Sequence, residues 1–208
     1  MADFNLVYTL EGKIYINLTN KCTNNCVFCI RAIKDDVVGA DLFLNNENFT
    51  AKDVIEQLKK FENEMSDEIV FCGYGEPMLK LDILKSVAQF VKNNYPDKKI
   101  RINTNGHANY VYKRNVVPEL VDLIDTISVS LNAENSDEYN RLSQPKFDDA
   151  YEEVKKFIKC CAQSKIETVA SIVDGFKGEH HDIELCEKIA KNLGAKLRVR
   201  EWIENGYS

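Results

Sequence analysis

The sequence is short of several things, and each shortage closes a class of answer. Proline occurs only four times in 208 residues, at Pro77, Pro96, Pro118 and Pro145, and there is no Pro/Gly-rich linker, low-complexity tract or internal repeat. One domain is therefore the expectation, with enough chain to bury a single core. No apolar run approaches the ~18 residues a membrane helix needs. The N-terminal string MADFNLVYTLEGK has no basic stretch followed by a long apolar one, as a secretory leader would. A cytoplasmic location and no membrane partner follow as expectations. Positive charge is also in deficit: 27 Lys and Arg against 33 Asp and Glu give a formal net charge of −6. That disfavours a broad nucleic-acid surface, which needs clustered cations. Apolar residues at 44% and charged residues at 29% are those of an ordinary globular chain.

The most telling shortage is local. The string CTNNCVFC places Cys22, Cys26 and Cys29 within eight residues, in the spacing C-x3-C-x2-C, and supplies no fourth cysteine nearby. A structural zinc site is closed by four protein ligands, and electron-transfer iron–sulfur clusters are commonly fully thiolate-ligated. Three thiolates alone suggest an iron–sulfur cluster with one open iron. A zinc site completed from elsewhere, or a disulfide pair plus one thiol, stay open at this point. In a chain without export signals, cysteines are expected reduced, ligating or buried rather than bridged.

The remaining cysteines lack ligand spacing. Cys72 closes an apolar run, Cys160 and Cys161 are neighbours that would face different sides of a helix, and Cys186 lies on another helix. All four read as structural, leaving one cluster.

Period-2 and helical patterns alternate along the chain. KIYINL (13–18), EIVFC (68–72), KIRINTNG (99–106), TISVSLNA (126–133), ETVASIVD (167–174) and KLRVREWI (196–203) read as six strands. Helices are expected over 50–65 with Thr50 as N-cap, 81–91, 116–124 with Pro118 in the first turn, 148–162, and 183–193 with Gly194 closing it. Alternating strands and helices predict an α/β fold with a parallel sheet and right-handed crossovers. Ligands of such folds sit at the carboxyl ends of the strands. The unusual polar strings fall there: the cysteine loop after the first strand, GYGEP after the second, NTNG at the end of the third, and Ser128, Ser130 and Asn132 on the fourth.

C-x3-C-x2-C with an aromatic, Phe28, before the last cysteine, together with GYGEP at the next strand end, resembles the radical SAM superfamily over nearly the whole chain. The wording FCGYGEP and RINTNGHAN is similar to the small TatD-associated radical SAM proteins. The resemblance implies a partial (β/α)6 TIM-like barrel, open on one side, as a single core domain over 1–208. With little chain beyond the sixth strand, the open mouth would suit a larger substrate or a partner protein. It implies Cys22, Cys26 and Cys29 as ligands to three irons of one [4Fe-4S] cluster, with S-adenosylmethionine chelating the fourth. One-electron cleavage would yield methionine and a 5′-deoxyadenosyl radical that abstracts hydrogen from a substrate. An external one-electron donor such as flavodoxin or ferredoxin is implied as a partner.

Cofactor contacts are then expected from Phe28, Ile30, Gly73, Gly75, Glu76, Pro77, Ser130, Asn132, Asn103, Asn105 and Arg200. Phe28 would face the adenine. Gly75 would let the backbone approach the methionine amino group, and Glu76 would either accept from that ammonium or brace the loop. Pro77 would stiffen the turn. Ser130 and Asn132 would contact ribose and carboxylate, and Arg200 a carboxylate or substrate anion. The plainer readings are a simple tight turn for Gly73 and Gly75, a turn for NTNG, a solvated charge for Arg31, a surface histidine for His107, and a helix cap for His180 and His181. The segment 35–48, rich in Asn and Asp, reads as a loop over the site or a solvated linker. Three functions compete: a radical enzyme acting on a small molecule or nucleoside precursor, an activase or modifying enzyme acting on a partner protein or peptide, and a non-catalytic zinc-binding module. G-x-G-E-P speaks against the last, since zinc binding has no use for it.

Overall fold

The computed structural model describes residues 5–32, 41–64 and 66–202. Seven strands form one sheet: β1 (Val7–Leu10), β2 (Lys13–Ile16), β3 (Glu68–Phe71), β4 (Lys99–Thr104), β5 (Thr126–Ser130), β6 (Glu167–Asp174) and β7 (Lys196–Glu201). Neighbours follow sequence order, so the sheet has two ends and is not closed. β2–β3, β3–β4 and β6–β7 pair in parallel, which makes the fold the expected α/β class. The helices are α1 (Ala51–Lys60), α2 (Leu81–Asn94), α3 (Ala108–Tyr112), α4 (Ser136–Ser143), α5 (Ala150–Ala162) and α6 (Ile183–Asn192). Among the described residues, none is long and apolar enough to cross a membrane.

The chain divides into two compact units. The first contains residues up to Cys22, Ile30–Thr104 and Glu119–Thr126. Here β2, β3 and β4 are buried runs, with Ile14, Ile16, Ile69, Val70, Phe71, Ile100 and Ile102 all fully buried, as both-face coverage of a parallel sheet requires. Helix α1 lays Val54 and Leu58 inward, and α2 lays Leu84, Val87, Ala88 and Val91. Thr50 caps α1 in a reciprocal box with Asp53. The second unit contains Thr23–Cys29, Asn105–Pro118 and Ile127 onward. Its core gathers Val129, Leu131, Tyr139, Val154, Phe157, Ile158, Ala170 and Ile172.

Several elements depart from the sequence reading. β1 is an extra strand, antiparallel to β2, joined through Glu11 and Gly12 with φ of 50° and 73°. Two consecutive positive φ values make the type I′-like turn that matches strand twist. The helix expected over 116–124 is only a 3-10 turn at Val117–Glu119, because Asp122 takes φ 67° and interrupts the helical run. The acidic stretch after β5 forms α4, capped by Asn135 and burying only Tyr139, Leu142 and Ser143. The helix expected over 50–65 ends at Lys60, followed by a 3-10 turn at Glu62–Glu64; Met65 lies outside the described residues.

Candidate functional site

In the first unit, the turn after β3 packs against the chain that runs from β2 toward Cys22. A Cβ on Gly75 would come within 2.3 Å of the Thr19 carbonyl oxygen and 2.5 Å of that of Lys21, closer than real contacts allow. The Glu76 N–H donates to the Lys21 carbonyl at 2.8 Å. Gly75 therefore serves an internal approach of backbone to backbone. Gly73 has the same need: a Cβ there would meet the Asn17 side chain, whose amide donates to the Leu42 carbonyl at 2.7 Å.

Glu76 is buried, and its carboxylate accepts from the Met78 N–H at 3.0 Å and from the Thr104 hydroxyl at 2.7 Å. Of its two expected roles, bracing the loop is the one these contacts display. Pro77 is buried as the first residue of a 3-10 turn, where a missing N–H is harmless.

The 35–48 segment splits. Residues 35–40 lie outside the described residues. Residues 41–48 are bound to the β2 side: Leu42 and Leu44 are buried, Asn20 exchanges hydrogen bonds with the Leu44 backbone, and Glu47 accepts from the Thr19 hydroxyl and the Asn20 N–H. Those two hydrogen bonds and Lys80 hold Glu47 below the usual carboxylate range, although burial opposes the shift. The solvated-linker reading fails for 41–48, because it is part of the packed frame. Arg31 is likewise no free loop charge; its guanidinium donates to the Asn20 carbonyl at 2.9 Å. Asn103, on β4, carries a buried side-chain oxygen with no hydrogen-bond partner among the described residues. Ile30 is half-buried in the 3-10 turn Ile30–Ala32.

In the second unit, the stretch Thr23–Cys29 hangs on the C-terminal end of α4. The Asn25 N–H donates to the Ser143 and Gln144 carbonyls at 3.0 and 3.1 Å, the Val27 N–H to the Leu142 carbonyl at 2.9 Å, and the Lys146 N–H to the Thr23 carbonyl at 2.9 Å. Asn105, buried as expected of a site residue, donates to the Thr23 hydroxyl at 2.7 Å and accepts from the His107 N–H. His107 overturns its sequence reading. It is 1% exposed, with Nδ1 2.8 Å from the Thr23 hydroxyl and Nε2 3.0 Å from the Tyr139 hydroxyl. Burial pushes its pKa down to about 4, so the ring is neutral.

Asn132 is buried at the end of β5 with φ 61°, a left-handed conformation that costs energy in any residue but glycine. Its amide donates to the Ser143 hydroxyl at 2.9 Å, while its side-chain oxygen is buried without a partner among the described residues. Phe28 meets Phe176 edge-on at 6.0 Å, and Phe176 meets Trp202 the same way at 5.0 Å. Ser130 and Arg200 are half-buried on β5 and β7. His180 and His181 bind Asp174 and Glu134 rather than capping α6, whose cap is Asp182.

None of the seven cysteines is in a disulfide. Cys161 and Cys186 are buried, which raises both thiols, Cys186 to about 12, as inert core residues. Cys22, Cys26 and Cys29 are each half-buried, and Cys29 N–H closes a turn onto the Cys26 carbonyl at 3.1 Å. Among the described residues, no group of three His, Cys, Asp or Glu side chains is arranged to hold a single metal ion. Three accessible thiols on one short loop form a soft donor set that fits an iron–sulfur cluster, in which each thiolate takes its own iron. The buried oxygens of Asn103 and Asn132 fit a ligand that brings hydrogen-bond donors. A buried acceptor left unmet costs roughly 1–3 kcal/mol.

Comparison with known proteins agrees with this chemistry. The radical SAM superfamily model matches residues 16–189. Over 196 residues the chain is 24% identical to a probable GTP 3',8-cyclase of Methanocaldococcus jannaschii, covering 92% of this chain and 59% of that protein. It is 26% identical over 192 residues to a probable dual-specificity RNA methyltransferase RlmN of Treponema denticola, covering 87% and 51%. The chain thus spans about half the length of these curated relatives. Streptococcus suis SuiB bound to S-adenosylmethionine superposes with a TM-score of 0.65 at 17% identity, covering 91% of this chain and 40% of that one. Native anSMEcpe with bound AdoMet superposes with a TM-score of 0.61 at 15% identity, covering 91% and 50%. At such identities these two likenesses establish the fold alone.

Proposed function

Because this chain belongs to the radical SAM superfamily, we propose that it cleaves S-adenosylmethionine reductively at a [4Fe-4S] cluster and directs the outcome to hydrogen abstraction from a substrate. The superfamily implies both groups, and bound together they supply one-electron cleavage of a sulfonium C–S bond. The observation that carries the reading is the string of three half-buried cysteines, none in a disulfide and with no fourth beside them, inside the matched region.

The chain's own residues then divide the work. Cys22, Cys26 and Cys29 hold the cluster. Glu76, locked by Met78 and Thr104, keeps the GYGEP turn rigid, so that its backbone groups face a methionine amino group without reorganising. Asn132 and Asn103 offer their orphaned oxygens to ribose hydroxyls or an ammonium. Phe28, braced by Phe176, gives the adenine an apolar face and excludes water. Asn105 acts at one remove, through Thr23. Ser130 and Arg200 are the remaining polar candidates, for hydroxyl and carboxylate respectively, and Ile30 and Pro77 shape the walls.

For the substrate we favour a small molecule or nucleoside precursor over a protein or peptide, supported by the nucleotide in the name of the cyclase relative. The strings FCGYGEP and RINTNGHAN support a place among the small TatD-associated proteins of the superfamily. A single domain, an external one-electron donor and a cytoplasmic location complete the proposal. Anaerobic reconstitution tests it. The chain should take up four irons and four sulfides per molecule, and Cys26→Ala should lose both the cluster and all turnover. Stoichiometric zinc binding with no sulfide uptake would instead establish the zinc module.

A further inference from the structure

Within the second unit, the stretch Thr23–Cys29 makes three backbone hydrogen bonds to the C-terminal end of α4 and one with Lys146 just beyond it. Beside them runs a continuous chain of side chains, half-buried at Thr23 and buried beyond it: Asn105 to Thr23, Thr23 to His107, His107 to Tyr139, and Asn24 to Tyr139. Thr23 and Asn24 belong to the cysteine stretch. Tyr139 is the fully buried anchor of α4, and its ring also tilts against Tyr151 of α5. His107 stands between them, both ring nitrogens engaged and its face closed edge-on by Phe147 at 4.7 Å, which in turn stacks on Tyr110 of α3 at 3.8 Å.

We infer that His107 is a positioning residue for the iron–sulfur site: through Thr23 on one nitrogen and Tyr139 on the other, it fixes the Thr23–Cys29 stretch, and with it the Cys26 and Cys29 thiols, to the α3–α5 core. The inference rests on the reading of those cysteines as cluster ligands.

The physical argument is one of donors and acceptors. A neutral imidazole carries one N–H and one bare nitrogen. Between two hydroxyls, each able to donate or accept, it satisfies both at once in either tautomer. The backbone N–H of His107 is held by the Asn105 side-chain oxygen, so the ring enters this slot from a fixed position. Few side chains bridge two hydroxyls in this way, and the bridge adds to the backbone bonds of the loop and to the Asn105–Thr23 and Asn24–Tyr139 contacts. A chain of this kind strengthens cooperatively in a dry interior and is sharply weakened when a member loses its partner.

The test compares His107→Phe, which keeps an aromatic ring beside Phe147 but removes both nitrogens, with His107→Gln, which keeps a donor and an acceptor. The readouts are amide hydrogen exchange at Asn25 and Val27 in the metal-free chain, iron release to a chelator, and the electron paramagnetic resonance spectrum of the reduced, reconstituted chain. In His107→Phe, protection at Asn25 and Val27 should fall about tenfold, the size expected of one lost buried hydrogen bond. Protection in β2–β4 should not change. Iron release should accelerate about tenfold and the spectrum should shift, and His107→Gln should restore most of each.

Wild-type protection, iron release and spectrum in His107→Phe would overturn the inference. Should that variant lose protection throughout the chain, Thr23→Val decides: loss confined to Asn25 and Val27 supports the inference, and unchanged protection there overturns it. If the wild-type chain takes up no iron and sulfide, the functional reading falls, while exchange in the metal-free chain still decides whether His107 holds the stretch.

Discussion

Two segments of this chain do comparable jobs by different physics. In the first unit, the GYGEP turn is held by close backbone approach: glycines where no Cβ fits, a backbone N–H on the Lys21 carbonyl, and one buried carboxylate. In the second, Thr23–Cys29 is held by side-chain hydrogen bonds that converge on a buried neutral imidazole. The first device is mainly steric, with one carboxylate added to packed backbone. The second depends on a protonation state.

The largest effect should come from breaking the steric device. Gly75→Ala drives a methyl into two backbone carbonyls that have no room to move. We expect a loss of about 4 kcal/mol in denaturant unfolding. A loss under about 1 kcal/mol would show that the turn is looser than its packing implies.

Acid should break the other device. His107 binds its proton at about pH 4 when folded and near 6.5 when unfolded. The unfolded chain therefore holds more protons throughout that window, and stability falls as pH drops from 6.5 toward 4, by about 3 kcal/mol at 1.36 kcal/mol per pH unit. Denaturant midpoints across this range should show the slope in the wild type and a flattened one in His107→Phe. An equal slope in both would assign the acid sensitivity to other groups.

Smaller effects sharpen the contrast. Glu76→Gln places an amide where a carboxylate accepts two hydrogen bonds and should cost about 2 kcal/mol. Thr104→Val removes one of those donors and should cost about 1 kcal/mol. Thermal unfolding of the pair and of the double variant would measure the coupling between them, which the 2.7 Å contact requires to be non-zero.

The same contrast governs what is legible in the sequence. Glycine and proline announce a steric turn, so GYGEP stands out as a turn from its residues alone, and the packing shows why its glycines are needed there. β3 is legible because it is a buried, nearly uniform apolar run, and β7, exposed or half-buried throughout, is legible from its period-2 alternation. β1 escapes because its turn, Glu11–Gly12, lacks the usual Asn or Asp. α4 escapes because only Tyr139, Leu142 and Ser143 point inward along eight residues, too few for a helical stripe to stand out. Val116–Ile124 misleads for the opposite reason: its apolar spacing is helical, while Asp122 breaks the backbone with a left-handed φ. His107 is illegible in principle. Nothing in NTNGHAN marks the histidine as buried, since its partners lie 84 residues before it and 32 after it. The one available clue is its place directly after a polar strand end, where such folds gather their chemistry.

The central claim is that the three thiols serve a cluster that cleaves S-adenosylmethionine. The direct measurement is chromatographic: the reconstituted, chemically reduced chain is incubated anaerobically with S-adenosylmethionine, and products are quantified against iron content. The account predicts 5′-deoxyadenosine and methionine in equal amounts, with neither formed by Cys26→Ala. A chain that carries its full complement of iron and sulfide, is demonstrably reduced, and leaves S-adenosylmethionine intact would contradict it.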